Sequence, residues 1–134
     1  MNKKIVVIDD DQVTLEILNK MLSKDDFEVF CAKDGKSGLE LVRSEKPGLV
    51  LLDLLLPKVH GLEVCQKIKK DPDLKKTKII LMTATYKTAA FRHEITMSGA
   101  EEFIEKPLDT IELMKKIYRL CIEIAEEDEK SSSS

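Results

Sequence analysis

The stretch VVIDDDQV (Val6–Val13) ends an apolar, β-branched run on three consecutive carboxylates, Asp9, Asp10 and Asp11. Like charges this close repel, so water, a helix N-terminus or a bound cation has to offset them. Upstream, KIVVI (Lys4–Ile8) has the continuous apolar character of a strand buried on both faces. Downstream, Asp11 is placed to N-cap a helix in which Val13, Leu15, Leu18, Met21 and Leu22 recur at roughly helical spacing.

The same strand-then-helix alternation repeats along the chain. FEVFCA (Phe27–Ala32) reads as a second strand, followed by a short helix over Ser37–Ser44 that Pro47-Gly48 closes. LVLLDLLLP (Leu49–Pro57) contains a third strand and another acid, Asp53. Gly61 opens a helix with Leu62, Val64, Cys65 and Ile68 turned inward, and DPDLKKTK reads as a loop. KIILMTAT is a fourth strand, residues Thr88 to Met97 form a weaker helix, and EEFIEKP holds a brief fifth strand. Asp109 is a good N-cap for a last helix running from Thr110 to about Glu127. Its Leu113, Ile117, Leu120 and Ile124 form the face packed on the sheet; two heptads are too few for a coiled coil. The acids of EEDEK oppose the helix dipole, so this end is expected to fray.

Strands alternating with helices define an α/β fold: five (βα) units, doubly wound, with helices on both faces of a parallel sheet. Such sheets bind ligands beyond the carboxyl ends of their strands. Asp9 and Asp10 end the first strand there, Asp53 the third, Thr83 the fourth and Lys106 the fifth.

The 134 residues suit one domain, placed at residues 1–124, with 125–134 an acidic and serine-rich tail or linker. A net charge of −3 supplies no global basic field for nucleic acid, and the basic stretches QKIKK and DLKKTK read as solvated faces. Cys31, Cys65 and Cys121 are scattered and odd in number, which fits reduced thiols better than a disulfide framework. With no signal-peptide pattern and no long apolar run, a cytoplasmic location away from membranes is expected.

Three carboxylates in one pocket suit a hard divalent cation such as Mg²⁺, which prefers oxygen ligands. The Thr83 hydroxyl and Lys106 ammonium are instead partners for an anionic phosphoryl oxygen. Together they suit phosphoryl transfer to a carboxylate. Each residue alone has a plainer reading: DDD as a helix cap, Asp53 as an ordinary strand end, Lys106 as a surface lysine, Thr83 as a strand residue. His60 and His93 have no companions at ligand spacing and read as surface residues without a chemical role.

The set VIDDD, LVLLDLLLP, ILMTA and EKP, in this order and spacing, resembles the receiver domain of two-component response regulators from about Lys4 to about Ile122. The resemblance implies a flavodoxin-like fold with strand order 2-1-3-4-5. It implies that Asp53 is the phosphoacceptor. Asp10 would ligate Mg²⁺ directly, Asp9 largely through water, and Asp53 and the Leu55 backbone carbonyl would complete the protein ligands. Thr83 would hydrogen-bond the phosphoryl group and Lys106 would pair with it. Phe103 matches the family's switch aromatic, turning inward as Thr83 moves, and the Lys106–Pro107 bond is expected to be cis. The partners implied are a sensor histidine kinase or phosphotransfer protein, and an output domain or downstream protein at the face formed by helix 4, strand 5 and helix 5. Family members also dimerise through that face, and nothing in the sequence forces a homodimer here.

Two departures stand out. Leu55 and Thr85, two residues after Asp53 and Thr83, flank the entry to the phosphoryl group, and a bulky apolar Leu55 cannot orient an attacking water, so slow autodephosphorylation is expected. The segment from Thr83 to Gly99 is one residue longer than the family spacing, which leaves the register of the fourth helix open. Two further readings compete. Asp9-x-Asp11-x-Val13 also fits haloacid-dehalogenase-like phosphatases, with Asp9 as nucleophile and Asp11 as general acid. That reading finds no downstream acidic pair for Mg²⁺ and leaves Asp53 without a role. A phosphate-independent scaffold would keep the fold without the switch.

Overall fold

A computed structural model of the chain describes residues 2–56, 60–84 and 89–132. Ten elements alternate: β1 (Lys4–Ile8), α1 (Gln12–Lys24), β2 (Glu28–Ala32), α2 (Gly35–Glu45), β3 (Leu49–Asp53), α3 (Gly61–Lys70), β4 (Lys78–Thr83), α4 (Ala89–Met97), β5 (Glu102–Glu105) and α5 (Thr110–Ser132). The strands form one parallel sheet of order β2-β1-β3-β4-β5. That is the architecture the strand–helix alternation and the family resemblance predict.

The period-2 alternation of strand side chains splits the core in two. Val6, Ile8, Val50, Leu52, Ile79 and Leu81 point to the face covered by α2 and α3. Ile5, Val7, Leu49, Leu51, Ile80 and Met82 point to the face covered by α1 and α5. Because β1, β3 and β4 are buried on both sides, their sequences are apolar throughout and turn polar only at their ends, where the chain leaves the sheet.

Helix starts are fixed by short polar side chains. Asp11 caps α1, as its position suggests: its carboxylate accepts the Val13 amide at 3.1 Å and the Thr14 hydroxyl at 2.9 Å. α2 begins at Gly35 rather than Ser37, because Asp34 is the cap and accepts the Ser37 amide at 2.7 Å; the polar first turn hides the start from a search for apolar spacing. His60 has a structural role its lack of ligand companions did not suggest: its Nδ1 accepts the Leu62 amide at 3.2 Å and caps α3. The Leu113–Ile117–Leu120–Ile124 face of α5 packs against the core. α5 continues past its expected end near Glu127 to Ser132. Its Glu, Lys and Ala residues are good helix formers, and Glu127 is held by the Lys78 ammonium at 2.6 Å. The expected start of the fourth helix at Thr88, the Thr85 position and Pro57 lie outside the described residues.

Candidate functional site

Two strand-end residues and two residues that directly follow strands converge on the carboxyl edge of the sheet. Asp9 follows β1 and is fully buried, Asp53 ends β3 at 6% exposure, and Thr83 ends β4 at 2%. Lys106 directly follows β5, held by its amide on the Thr83 carbonyl at 2.8 Å, and the Lys106–Pro107 peptide is cis. Its ammonium lies 2.6 Å from Asp9 Oδ2 and 3.2 Å from Asp53 Oδ2. The remaining oxygens also have donors: the Asp11 amide reaches Asp9 Oδ1 at 2.9 Å, and the Leu55 amide reaches Asp53 Oδ1 at 3.2 Å. Asp10 is exposed beside them. One carboxylate oxygen from each of Asp9, Asp10 and Asp53 lies within 4.8 Å of the others, and no other such cluster occurs among the described residues.

The electrostatics follow from this packing. Burial, and then the neighbouring Asp9 charge, raise the Asp53 pKa from its ordinary value, although the Leu55 amide and Lys106 pull the other way. Burial pulls Lys106 down, but the hydrogen bond to Asp9 and the charges of both carboxylates outweigh it, so its pKa is raised. Three carboxylates face one ammonium, leaving an excess of negative charge lined with hard oxygen donors. That donor set fits a divalent cation of the Mg²⁺ type.

A stability test follows, with its sign. A carboxyl whose folded pKa is raised contributes stability that is complete below its unfolded pKa and is lost as pH rises through the folded value. At neutral pH without divalent ions, ionised Asp53 therefore opposes folding. Asp53→Asn is expected to melt a few degrees above wild type at pH 7 in chelator, with the gap closing when Mg²⁺ is added or the pH is lowered. Thermal unfolding followed by circular dichroism reads this directly; a variant melting below wild type in chelator would contradict it.

Leu55, expected at the entry to the pocket, is 61% exposed, while Val13, counted in the apolar spacing of the first helix, and Ile17, which escaped the sequence reading, are 62% and 52% exposed. Val13 and Ile17 stand four apart on α1, off the buried Leu15–Leu18–Leu22 stripe, and that second stripe was the available signal. A cavity of about 380 Å³ between α1 and the segment after β5 is lined by Asp11, Thr14, Ile17, Lys106, Pro107 and Leu108. On the open edge of β5, Phe103 is 39% exposed and lines a groove with Glu105 and, from α5, Glu112 and Lys116.

Fold and pocket together define a class: a doubly wound α/β domain with buried acids, a threonine and a lysine at the strand ends. The chain belongs to the response regulator receiver domain family, whose model matches residues 5–118. It is therefore a receiver domain of two-component signalling, a family whose members are typically phosphoacceptors rather than enzymes acting on an external substrate. Among solved structures, it is similar to a CheY-like response regulator receiver domain from Methanospirillum hungatei, at 28% identity over 95% of this chain and 99% of that one, with a TM-score of 0.86. The BeF3-activated N-terminal receiver domain of RstA from Klebsiella pneumoniae is 27% identical over 86% of this chain and 95% of that one, TM-score 0.76. NtrX from Brucella abortus, in complex with ADP, is 26% identical over 98% of this chain but only 30% of its own, TM-score 0.84. Asp53, which the phosphatase reading left idle, sits inside the pocket. Among the described residues, no helix is long and apolar enough to cross a membrane.

Proposed function

We propose that this protein is a phosphorylation-dependent switch in which Asp53 accepts a phosphoryl group from a histidine kinase or phosphotransfer protein. The observation that carries the reading is the Asp53 carboxylate at the end of β3, hydrogen-bonded by Lys106 at 3.2 Å beside two further acids. An Asp53 oxygen attacks phosphorus in line, the bond from phosphorus to the donor atom breaks, and an acyl phosphate forms. The Lys106 ammonium, already between Asp9 and Asp53, is positioned to take up the charge on the phosphoryl oxygens. Asp10 and Asp53, with the Leu55 carbonyl, would hold Mg²⁺. Asp9, whose two oxygens are engaged by Asp11 and Lys106, would support the ion indirectly. Bound there, Mg²⁺ neutralises charge on the transferring group.

Thr83 then bonds the phosphoryl group and Phe103 turns from its half-exposed position toward the space Thr83 leaves. This biases the surface formed by α4, β5 and α5, where an output domain or partner reads the state. The beryllofluoride-activated relative supports this reading, since BeF3 on a carboxylate imitates a phosphoryl group. Intact mass after incubation with Mg²⁺ and acetyl phosphate tests it: one added phosphoryl group is expected, and none in Asp53→Ala.

Two substitutions probe the rim. The exposed Val13 and Ile17 beside the cavity after β5 offer an apolar seat for a phosphodonor protein. Ile17→Asp is expected to slow transfer from a phosphorylated histidine kinase at least about tenfold, the loss of one buried apolar contact plus a desolvated charge. Uptake from acetyl phosphate stays unchanged. Equal slowing with both donors would refute the docking role. Leu55, whose amide bonds Asp53 and whose exposed side chain carries no hydrogen-bonding group, lies two residues on, so Leu55→Asn is expected to shorten the acyl phosphate lifetime several-fold; an unchanged lifetime contradicts that.

A further inference from the structure

The C-terminal end of α4 is fastened to the body by a polar latch that the site chemistry does not use. Glu101 both gives and takes: its amide donates to the Ile79 carbonyl at 3.0 Å, and its carboxylate accepts the Ile79 amide at 2.6 Å. The Lys69 ammonium, on the last turn of α3, closes on the same carboxylate and also donates to the Thr77 carbonyl at 2.7 Å. Thr77 is itself buried, its hydroxyl on the Pro47 carbonyl at 3.0 Å. Next to this latch, the buried Ser98 hydroxyl donates to Ile95 and accepts from the Ala100 amide. The Cys65 thiol meets the Ser98 carbonyl. Gly99 turns the chain at φ +90°, and a Cβ there would stand 3.1 Å from the Lys69 side chain. The lysine thus packs under the turn as well as pairing across it.

Among the described side chains of α4 and its turn, Ala89, Arg92, His93 and Glu94 are exposed, whereas Ile95 and Ser98 are buried and Ala100 packs against the core, so these contacts gather toward the Ser98–Glu101 end. Thr83 ends the strand that leads into α4.

We propose that Lys69 and Glu101 are the fixed pivot of α4, so that displacement driven from Thr83 turns the helix about its Ser98–Glu101 end instead of sliding it whole. The proposal rests on the phosphoacceptor reading, which supplies the drive. A rigid helix fastened at one end converts a small shift at the other into rotation. The rotation is delivered beside Phe103, while the base of β5 stays in register with β4. Lys69 and Glu101 act through α4 and touch no reacting atom; they are positioning residues.

Hydrogen exchange read by mass spectrometry on the full chain, with Mg²⁺ and with or without acetyl phosphate, tests this. In wild type, phosphorylation is expected to change exchange across residues 89–94 and to leave 98–101 unaltered. In Lys69→Met, uptake of the phosphoryl group persists, basal exchange at Ile79 and Glu101 rises about tenfold or more, and the phosphorylation-dependent change spreads into 98–101. Glu101→Gln, which keeps the contact to Ile79 but drops the charge, gives the same spread with a smaller basal rise. The pivot is overturned if wild type changes as much at 98–101 as at 89–94. It is also overturned if Lys69→Met raises basal exchange but leaves the phosphorylation-dependent pattern as in wild type. Absence of an added phosphoryl group in wild type would instead fail the underlying reading, and the pivot would lose its drive with it.

Discussion

Lys106→Met takes up phosphoryl groups from acetyl phosphate about a hundredfold more slowly than wild type, the scale expected when one preorganised charge is removed from a transferring group. The same change destabilises the metal-free protein. Fully buried Asp9 loses its 2.6 Å partner and Asp53 loses one of its two donors. Breaking a buried pair typically costs about 3–5 kcal/mol, and the partial exposure of Lys106 to water reduces that to about 2–3 here. In a domain of this size that is a fall of roughly 10 °C in Tm. The pH dependence has a definite sign. A lysine with a raised folded pKa contributes stability that is complete below its unfolded pKa and is lost as pH rises through the folded value. The gap between wild type and Lys106→Met is therefore widest at neutral pH and closes at strongly alkaline pH. Kinetics of mass gain and melting curves at two pH values check both halves. Uptake within about twofold of wild type would contradict the role given to the ammonium.

Gly61→Ala unfolds the protein earlier still, for a reason located in the backbone. A Cβ on Gly61 would stand 2.4 Å from the Asp53 carbonyl oxygen and 2.6 Å from the Leu54 Cα. Neither atom is the end of a flexible side chain that can swing aside. The Gly61 amide also bonds the Leu54 carbonyl at 3.1 Å, so the start of α3 cannot back away without losing that contact. Overpacking typically costs about 1–3 kcal/mol, and a clash with main chain on both sides belongs at or above the upper end. A drop in Tm of about 10 °C or more is expected. Because the strained segment carries Asp53, phosphoryl uptake falls too. A Tm within about 2 °C of wild type would show that α3 can move off β3 without cost.

The strands and their order of appearance were legible because β1 and β3 are buried on both faces, so IVVI (Ile5–Ile8) and LVLL (Leu49–Leu52) carry no polar residue to confuse the reading. The site was legible for the complementary reason: an acid, threonine or lysine standing directly at the end of such a run has nowhere to go but the sheet edge. What stayed hidden were contacts between distant segments. Lys69 lies in IKK, a stretch that reads as solvated, yet it is largely covered and paired with Glu101, 32 residues away. Leu74, alone among polar neighbours in an apparent loop, is buried in the α2/α3 core. The α2 start and the His60 cap were missed because a cap is a matter of one side chain and one amide, which apolar spacing does not register. α5 runs past its expected end near Glu127, where its residues are good helix formers and Lys78 pairs with Glu127.

The central claim is that a phosphoryl group resides on Asp53. After incubation with Mg²⁺ and acetyl phosphate, borohydride reduces an acyl phosphate to the alcohol, converting a phosphorylated aspartate to homoserine, which peptide mass spectrometry then locates. The account predicts homoserine at position 53 and at no other aspartate. Homoserine at position 9 with position 53 intact, or no conversion anywhere in protein that has gained a phosphoryl group, would contradict it.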